Sequence, residues 1–313
     1  MIDNLNPQAL MAGPLGDWLG EQRHVREAAK AKSKSRGWNA AIVLLPLFAA
    51  GMILIPMDFV PKLMIAAFIG FFALIWVQQP ISKAKKAMKV GINEAIAGSL
   101  GLAYSHDVEP GEHFERARGF DMVPSFHRSK FEDMWHGEIG GQRFMLHEAK
   151  LEQKRGSGKN TRYVTVFKGA IIAIGFSRDF HGTTLLQRAN KHRGFFGGRK
   201  DSIKLNGMTL DNVDVVHPVF GDSFAAWTTD QVEARYLIHP AYVERIIAIE
   251  EAFSGKNIRT LFHRGEVLVA IESGDMFESG SIDADKDHEM IAKTCEQFSS
   301  LAGLARSLDE AAR

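Results

Sequence analysis

The sequence predicts an α+β protein, in which an N-terminal two-helix transmembrane hairpin is followed by a cytoplasmic domain with an antiparallel β-sheet and a few helices. Three observations lead to this prediction. Two adjacent apolar runs have basic residues on both sides, two-residue turn signals separate β-type segments, and helical patterns interrupt and follow those segments. We therefore divide the chain into a basic, amphipathic lead-in over residues 1–37, the hairpin over 38–79 and the cytoplasmic domain over 80–313.

The two apolar runs have the length and composition of membrane-spanning helices. Trp38–Met57 is 20 residues long without a charge, and at 1.5 Å per residue it spans about 30 Å, the thickness of the hydrocarbon core. The second run, Phe59–Val77, contains one charge, Lys62, whose amine is expected to extend to the headgroups. We expect Trp38 and Trp76 to lie at one membrane interface, as aromatic belt residues do.

The basic charge of the chain is concentrated around this hairpin. Residues 1–89 have 11 Lys/Arg and 5 Asp/Glu, a net charge of +6, whereas the whole chain is +1 and the remainder therefore −5. The positive-inside rule predicts that both termini are cytoplasmic. The acidic remainder argues against a nucleic-acid partner, and the basic flanks suit membrane lipid with anionic headgroups. The single cysteine, Cys295, indicates a reducing compartment.

The lead-in has a helical pattern from residue 17 to residue 34 that allows two interpretations. Its apolar side consists of Trp18, Leu19, Gln22, Val25 and Ala29. This side could lie on the bilayer surface as part of a basic amphipathic helix, or the segment could be a solvated helix that leads into the first span.

In the cytoplasmic domain, turn signals predict two hairpins and a central strand. Gly140-Gly141 separates strands 131–139 and 142–149, and Arg264-Gly265 separates strands 258–263 and 266–271. The first turn should place Glu138 opposite Arg143 and Trp135 opposite Leu146. Residues 163–167 and 170–176 are apolar on both faces, which is typical of a buried central strand.

Three helices are predicted among the strands. Asp230 and Glu233 have the spacing of a capping box at the start of a short helix that ends near Ile238. Pro240 begins a second helix, and the last helix extends from about residue 285 to 312. One apolar stripe of the second helix is expected to be buried; it consists of Tyr242, Ile246, Ile249 and Phe253.

A set of short motifs resembles a bacterial family, domain of unknown function 3137, over roughly residues 20–280. The motifs are Phe167-Lys168-Gly169, Phe180-His181-Gly182-Thr183, Thr229-Asp230-Gln231-Val232-Glu233-Ala234-Arg235-Tyr236 with Pro240, Glu244 and Arg245, and Phe277-Glu278. The resemblance implies two membrane spans ahead of a soluble domain, a location in the bacterial inner membrane and unknown function. It also implies a LemA-type membrane protein as a partner.

Three motif-like segments do not meet the requirements of the sites they resemble. The segment 156–161 lacks the first glycine of a phosphate loop, where Gln153 stands, and has Asn160 instead of Ser or Thr after the lysine. The acidic segment 283–289 lacks the glycine and the final glutamate of a calcium loop. His136 and His147 should share a strand face, but with only Glu138 near them we predict no metal site, and no motif indicates a cofactor.

Two segments remain as candidate sites. A glycine-rich basic loop could insert into lipid headgroups, or its two phenylalanines could pack into the domain core; its residues are Arg188, Lys191, Arg193, Phe195, Phe196, Arg199 and Lys200. Arg178, Asp179 and His181 form the best polar cluster for acid–base chemistry.

These segments lead to two hypotheses. The first is a non-enzymatic, membrane-tethered domain that binds a partner protein or anionic lipid at the inner face of the membrane, which requires an exposed apolar patch or groove. The second is a membrane-anchored enzyme that uses the Arg178–His181 region, which requires a concave pocket with converging polar groups.

Overall fold

The computed structural model describes residues 6–176, 179–188, 200–213, 224–274, 276–277 and 280–312. The chain forms two compact units. We call Pro7–Ile92 with Glu278–Ile291 the helical unit, and Asn93–Phe277 with Ala292–Arg313 and Met1–Asn6 the sheet unit. The boundary between the units therefore falls within a helix near residue 92.

The helical unit contains the two predicted apolar helices. Its helices are α1 (Pro7–Met11), α2 (Pro14–Glu21), α3 (Arg23–Leu54) and α4 (Phe59–Leu100), of which the last residues of α4 belong to the sheet unit. The helical stretches Pro14–Leu54 and Phe59–Leu100 are long and apolar enough to cross a membrane, and the most apolar window of each has no buried residue. The predicted pair of apolar helices joined by a short turn is thus confirmed.

The basic lead-in is continuous with the first apolar helix, because α3 begins at Arg23 and extends without a break to Leu54. On the predicted side, Leu19 and Ala29 are buried, and Trp18, Gln22 and Val25 are partly buried. The other buried residues of this segment are Leu15, Arg26 and Ser33. Trp18 packs on α4 where Gly91 leaves space, since a Cβ at Gly91 would lie 2.4 Å from the Trp18 ring. The lead-in thus continues into α3 and packs on α4.

In the sheet unit, ten strands of the described residues form one antiparallel sheet, which confirms the predicted α+β class. The strands are β1 (Ala103–Asp107), β2 (Arg128–Ile139), β3 (Gln142–Arg155), β4 (Arg162–Gly175), β5 (Thr184–Arg188), β6 (Ser202–Leu205), β7 (Met208–Val213), β8 (Phe224–Thr228), β9 (Lys256–His263) and β10 (Glu266–Glu272). Their order across the sheet is β1-β2-β3-β4-β10-β9-β5-β8-β7-β6.

Both predicted hairpins are present. Gly140 and Gly141 both have positive φ, as their two-residue turn requires, and Glu138 lies opposite Arg143. Trp135 also pairs with Leu146 as predicted. The two apolar segments predicted around residue 169 are one strand, β4, at the centre of the sheet.

The helices of the sheet unit include three predicted ones and one that the sequence analysis missed. They are α5 (Glu112–Gly119), α6 (Gln231–Leu237), α7 (Pro240–Ala252) and α8 (Asp287–Ala312), whose first residues belong to the helical unit. The predicted stripe of α7 is buried at all four positions. The missed helix, α5, inserts Phe114 and Ala117 into the core with almost no exposed surface.

Hydrophobic residues cover both faces of the sheet. On one face, α5 packs in a cluster that includes Leu261 of β9 and Leu268 of β10. Neighbouring residues of a strand point to opposite faces, and Phe262 accordingly contacts Tyr242 of α7, with ring centres 5.1 Å apart. On this second face, Trp135 packs against Phe298 of α8 with ring centres 4.7 Å apart.

Candidate functional site

The cluster predicted for acid–base chemistry does not form an enclosed site in the described residues. Arg178 lies outside the described residues. Asp179 and His181 are both exposed. The backbone N–H of His181 donates to Glu233 Oε1 over 2.9 Å, so this segment is bound to α6 through its backbone.

The carboxylate of Glu233 joins the segment before β5 to the start of α6. It accepts a second hydrogen bond, from the backbone N–H of Gly182, over 2.7 Å. Alongside it, the backbone N–H of Thr183 donates to Thr229 Oγ1 over 2.8 Å, and the N–H of Thr229 donates back to the carbonyl of Thr183 over 3.0 Å. We call these residues, 181–183 with 229–233, the α6 junction.

The capping box predicted for α6 is only half present. Asp230 is the N-cap and accepts hydrogen bonds from the N–H groups of Val232 and Glu233. Glu233 does not complete the box, because its carboxylate is used by the amides of residues 181 and 182. The N–H of Asp230 donates to Thr228 Oγ1 instead.

Two glycines in the resemblance motifs are required by close packing. A Cβ at Gly169, which has φ +157°, would lie 1.9 Å from the carbonyl oxygen of Ile271. A Cβ at Gly182 would lie 2.8 Å from the Cβ of Asp230. Together with the buried Phe167 and the α6 junction, these contacts give several motif residues a role in the fold.

Most of the predicted lipid-binding loop falls outside the described residues. This applies to Lys191, Arg193, Phe195, Phe196 and Arg199. At the ends of the loop, Arg188 forms an ion pair with Glu250 and lies over the ring of Phe224, with its guanidinium carbon 4.6 Å from the ring centre. Lys200 is exposed. The charge of Arg188 is thus already paired within the sheet unit.

All three residues predicted for the membrane interface, Trp38, Lys62 and Trp76, belong to the helical unit. Trp38 and Trp76 are 70% and 47% exposed. Arg36 donates to the carbonyl of Trp76 over 2.9 Å and lies over its ring, which ties α3 to α4 beside Trp76. Lys62 donates to the carbonyl of Met52 over 2.9 Å and so satisfies one of the last carbonyls of α3.

The acidic segment that resembled a calcium loop forms ion pairs with the basic lead-in, within the helical unit. Asp287 accepts from Arg26 over 2.8 Å, and both side chains are almost fully buried. Asp283 accepts from Lys30 over 2.7 Å in a half-exposed pair. A Cβ at Gly280 would lie 2.4 Å from the carbonyl oxygen of Lys85, so this segment packs closely against α4.

His147, singled out with His136, is a buried core residue. Its ring lies among Phe114 and Phe131, with ring centres 6.3 and 5.8 Å away, while His136 is exposed. Burial lowers the pKa of His147 to about 4, so the imidazole is neutral at physiological pH. In the described part of the chain, no three His, Cys, Asp or Glu side chains are placed to hold a metal ion.

A buried polar cluster lies where β1 meets β2. Asp133, fully buried with φ +57°, accepts from Tyr104 Oη over 2.6 Å and lies 2.8 Å from His106 Nδ1. Burial and the neighbouring Asp133 carboxylate raise the pKa of Tyr104. Asp133 lies in a bulge of β2, and its contacts with Tyr104 and His106 hold the edge strand β1 in place.

The sheet unit has a polar cleft of about 750 Å³. It lies between the start of α5, the turn from β6 to β7 and the turn from β9 to β10. The residues that line this cleft are Pro110, Gly111, Glu112, Glu115, Arg116, Asn206, Met208, His263 and Arg264. We call it the α5 cleft.

Neighbouring groups perturb the pKa values of His263, which lines the α5 cleft, and of Glu266, which contacts the lining residue Arg116. Glu266 forms an ion pair with Arg116 and lies 3.4 Å from His113 Nδ1. The contacts with His113 and then Arg116 lower the pKa of Glu266 to about 2, against the opposing effect of burial. Burial, followed by the charges of Arg264 and Arg116, lowers the pKa of His263.

His263 is the least exposed polar residue of the α5 cleft, at 8%. Its Nδ1 lies 2.8 Å from Thr183 Oγ1, and the ring of Phe120 packs beside it with centres 5.2 Å apart. The cleft was missed by sequence analysis because its residues come from three distant segments. The one available signal was the pair His263-Arg264 at a predicted turn.

Comparison with known proteins finds a match to one family model, for which no function is described. Residues 165–310 match the family model of DUF3137, described as a protein of unknown function. The match confirms the resemblance and contains the motif residues from Phe167 to Phe277. The apolar helices α3 and α4 lie outside the segment matched to DUF3137, which begins within β4.

Other comparisons are less informative. No curated protein matches the sequence. A solved structure, the crystal structure of the mycobacterial trehalose monomycolate transport factor A, TtfA, is similar at 10% sequence identity, with 67% of this chain and 93% of that chain covered and a TM-score of 0.36. A likeness at this level carries no argument about function.

Proposed function

We propose that this protein is a non-enzymatic, membrane-tethered module that binds a partner protein or anionic lipid at the inner face of the bacterial inner membrane. The proposal is carried by the two helical stretches Pro14–Leu54 and Phe59–Leu100, whose most apolar windows have no buried residue. Exposing so much contiguous apolar surface to water is unfavourable. A hydrocarbon environment removes this cost.

The basic flanks support an orientation in which both termini are cytoplasmic. Lysines and arginines precede the apolar half of α3 and follow the apolar half of α4. The only charged residues at the turn between the two helices are Asp58 and Lys62. By the positive-inside rule, the turn is then on the opposite side of the membrane from the sheet unit.

Reporter fusions in cells test this orientation. We expect fusions at the N-terminus and after Lys89 to report the cytoplasm, and a fusion at Asp58 to report the outside. A reporter after Lys89 that reads outside would reverse the topology and would remove the proposed location of the sheet unit.

An exposed apolar pair on α6 supports the binding of a partner protein. Val232 is 79% and Tyr236 46% exposed, and at a spacing of four residues they lie on one face of the helix. Of the described residues beyond the apolar helices, only Tyr163 is another large hydrophobic residue of this exposure. Partner proteins commonly bind such apolar anchors.

Site-specific photo-crosslinking in native membranes tests the binding proposal. A photoreactive phenylalanine at position 232 should give a discrete protein adduct, whereas the same residue at the exposed position of Glu244 on α7 should give none. Tyr236→Ser should reduce the adduct from position 232. Equal labelling at 232 and 244, or adducts with lipid alone at 232, would rule out a protein partner on this face.

The remaining elements of the proposal rest on sequence. The basic loop between Arg188 and Lys200 is proposed as a contact with anionic headgroups, and a LemA-type membrane protein is the partner that the family resemblance suggests. The enzyme alternative has no feature in its favour at Asp179 or His181, which are exposed and do not line the α5 cleft.

A further inference from the structure

The α5 cleft contains two charged side chains of opposite sign that the protein leaves without a partner. Arg116 is paired with Glu266, and Glu115 with Arg118 over 2.7 Å. The side chains of Glu112 and Arg264 line the same cleft, yet neither forms an ion pair or hydrogen bond with any residue of the described ranges. They come from different elements, the first turn of α5 and the turn between β9 and β10.

His263 contributes a neutral polar group to the same cavity. The residue is more than nine-tenths buried, its Nδ1 is held by Thr183, and its ring lines the cleft. The lowered pKa of His263, caused first by burial, keeps the imidazole uncharged at physiological pH. Because Nδ1 is used by Thr183, a neutral imidazole has Nε2 left for one further hydrogen bond, so it can bind a polar group without adding charge.

We propose that the α5 cleft binds a small zwitterionic ligand, with Glu112 holding its ammonium group, Arg264 its carboxylate or phosphate, and His263 a polar atom between them. The cleft volume of about 750 Å³ lies within the range of roughly 300–1,000 Å³ found for small-molecule sites. Met208 and Pro110 supply apolar surface for the short carbon chain of such a ligand.

A ligand of a single charge fits the cleft less well. An anion would be attracted by Arg264 but repelled by the carboxylates of Glu112, Glu115 and Glu266. A cation would be attracted by these carboxylates but repelled by Arg264 and Arg116. A zwitterion satisfies both unpaired charges at once. The same chemistry is present in free amino acids and in the phosphoethanolamine headgroup of membrane lipids.

Binding can be followed through the methyl group of Met208 in the full chain. The protein is labelled at its methionine methyl groups in a non-ionic detergent, and Met208→Leu assigns the signal. Phosphoethanolamine or glycine should shift this signal saturably, at concentrations at least about tenfold lower than ethanolamine or inorganic phosphate. Nanodiscs with and without phosphatidylethanolamine distinguish the sources, since a bound lipid headgroup would shift Met208 before any soluble zwitterion is added.

Charge-removing variants identify the two binding residues. Glu112→Gln and Arg264→Gln should each weaken binding at least about tenfold, while leaving the other methionine signals unchanged. Glu109→Gln and Arg235→Gln remove the same charges from exposed positions outside the lining and should bind normally. The proposal is overturned if ethanolamine or phosphate alone binds as tightly as the zwitterion, or if neither zwitterion nor either nanodisc shifts Met208.

Discussion

Replacing Arg26 by methionine should destabilise the start of α8 by roughly 3–5 kcal/mol, because it leaves the carboxylate of Asp287 buried without its counter-charge. Both side chains are almost fully buried at a separation of 2.8 Å. Hydrogen exchange on the full chain measures this local stability. Amides in the segment Gly280–Ile291 should exchange at least about a hundredfold faster in the variant, since tenfold corresponds to 1.4 kcal/mol.

Two further variants separate charge from packing at the Arg26–Asp287 pair. The pair is incompletely hydrogen-bonded, since Arg26 Nε and Asp287 Oδ1 have no hydrogen-bond partner among the described residues. The double variant with Arg26→Met and Asp287→Leu should therefore recover most of the protection. Lys30→Met, which removes the half-exposed pair with Asp283, should have little effect. A double variant as unprotected as the single one would contradict this explanation.

The defect of Arg26→Met should also depend on pH. Burial already raises the pKa of Asp287, although Arg26 opposes this shift. Without Arg26 the pKa rises further, so the folded state binds a proton more readily than the unfolded state. The loss of protection should therefore be smaller near pH 5 than at pH 8.

Replacing Glu233 by alanine should destabilise the sheet unit by roughly 3 kcal/mol or more, because it removes two charge-assisted hydrogen bonds and leaves two amides unpaired. The amides are those of His181 and Gly182. For a unit of about 200 residues this corresponds to a decrease in Tm of roughly 6–12 °C. Thermal unfolding of the full chain in detergent measures the change.

Three comparison variants test the assignment of this loss to the α6 junction. Glu233→Gln keeps one acceptor and should fall between the wild type and Glu233→Ala. Asp230→Ala removes only the N-cap of α6 and should cost about 1 kcal/mol. Glu244→Ala, at an exposed site on α7, should change stability little. If Glu233→Ala lowered the free energy of unfolding no more than Asp230→Ala, the prediction would be wrong. The hydrogen bonds between Thr183 and Thr229 would then be enough to hold the α6 junction together.

Local signals in the sequence predicted much of the fold. The two hairpins follow from glycine-containing turns between β-type segments, and the α7 stripe follows from helical periodicity, because each depends on residues close in the chain. The helix α5 was missed because it has only eight residues, with two apolar positions that enter the core. Strands β5 to β8 were also not predicted, because they are short. In β6, for example, buried and exposed residues alternate over only four positions.

The polar contacts that organise the candidate sites were beyond local reasoning. Glu233 has the spacing of a capping box, yet it binds amides about 50 residues earlier in the chain, and only the tertiary fold determines which donors it meets. The α5 cleft could not be predicted for the same reason. Its unpaired charges, Glu112 and Arg264, are far apart in the sequence and line one cleft only in the folded protein. Charge spacing also could not show that the segment 283–287 pairs with the lead-in.

The pairing of the lead-in with residues 283–287 has a consequence for biosynthesis. Lys30 and Asp283 are separated by 253 residues, so at translation rates of about 5–20 residues per second the acidic partner emerges roughly 13–50 s after the lysine. During the proposed insertion of the hairpin, Arg26 and Lys30 are therefore unneutralised and add to the positive charge that, in the proposed topology, keeps the N-terminus in the cytoplasm. Once residues 283–287 are synthesised, Asp287 and Asp283 neutralise Arg26 and Lys30. The same basic residues would thus act first in the proposed membrane insertion and later as ion-pair partners in the folded helical unit.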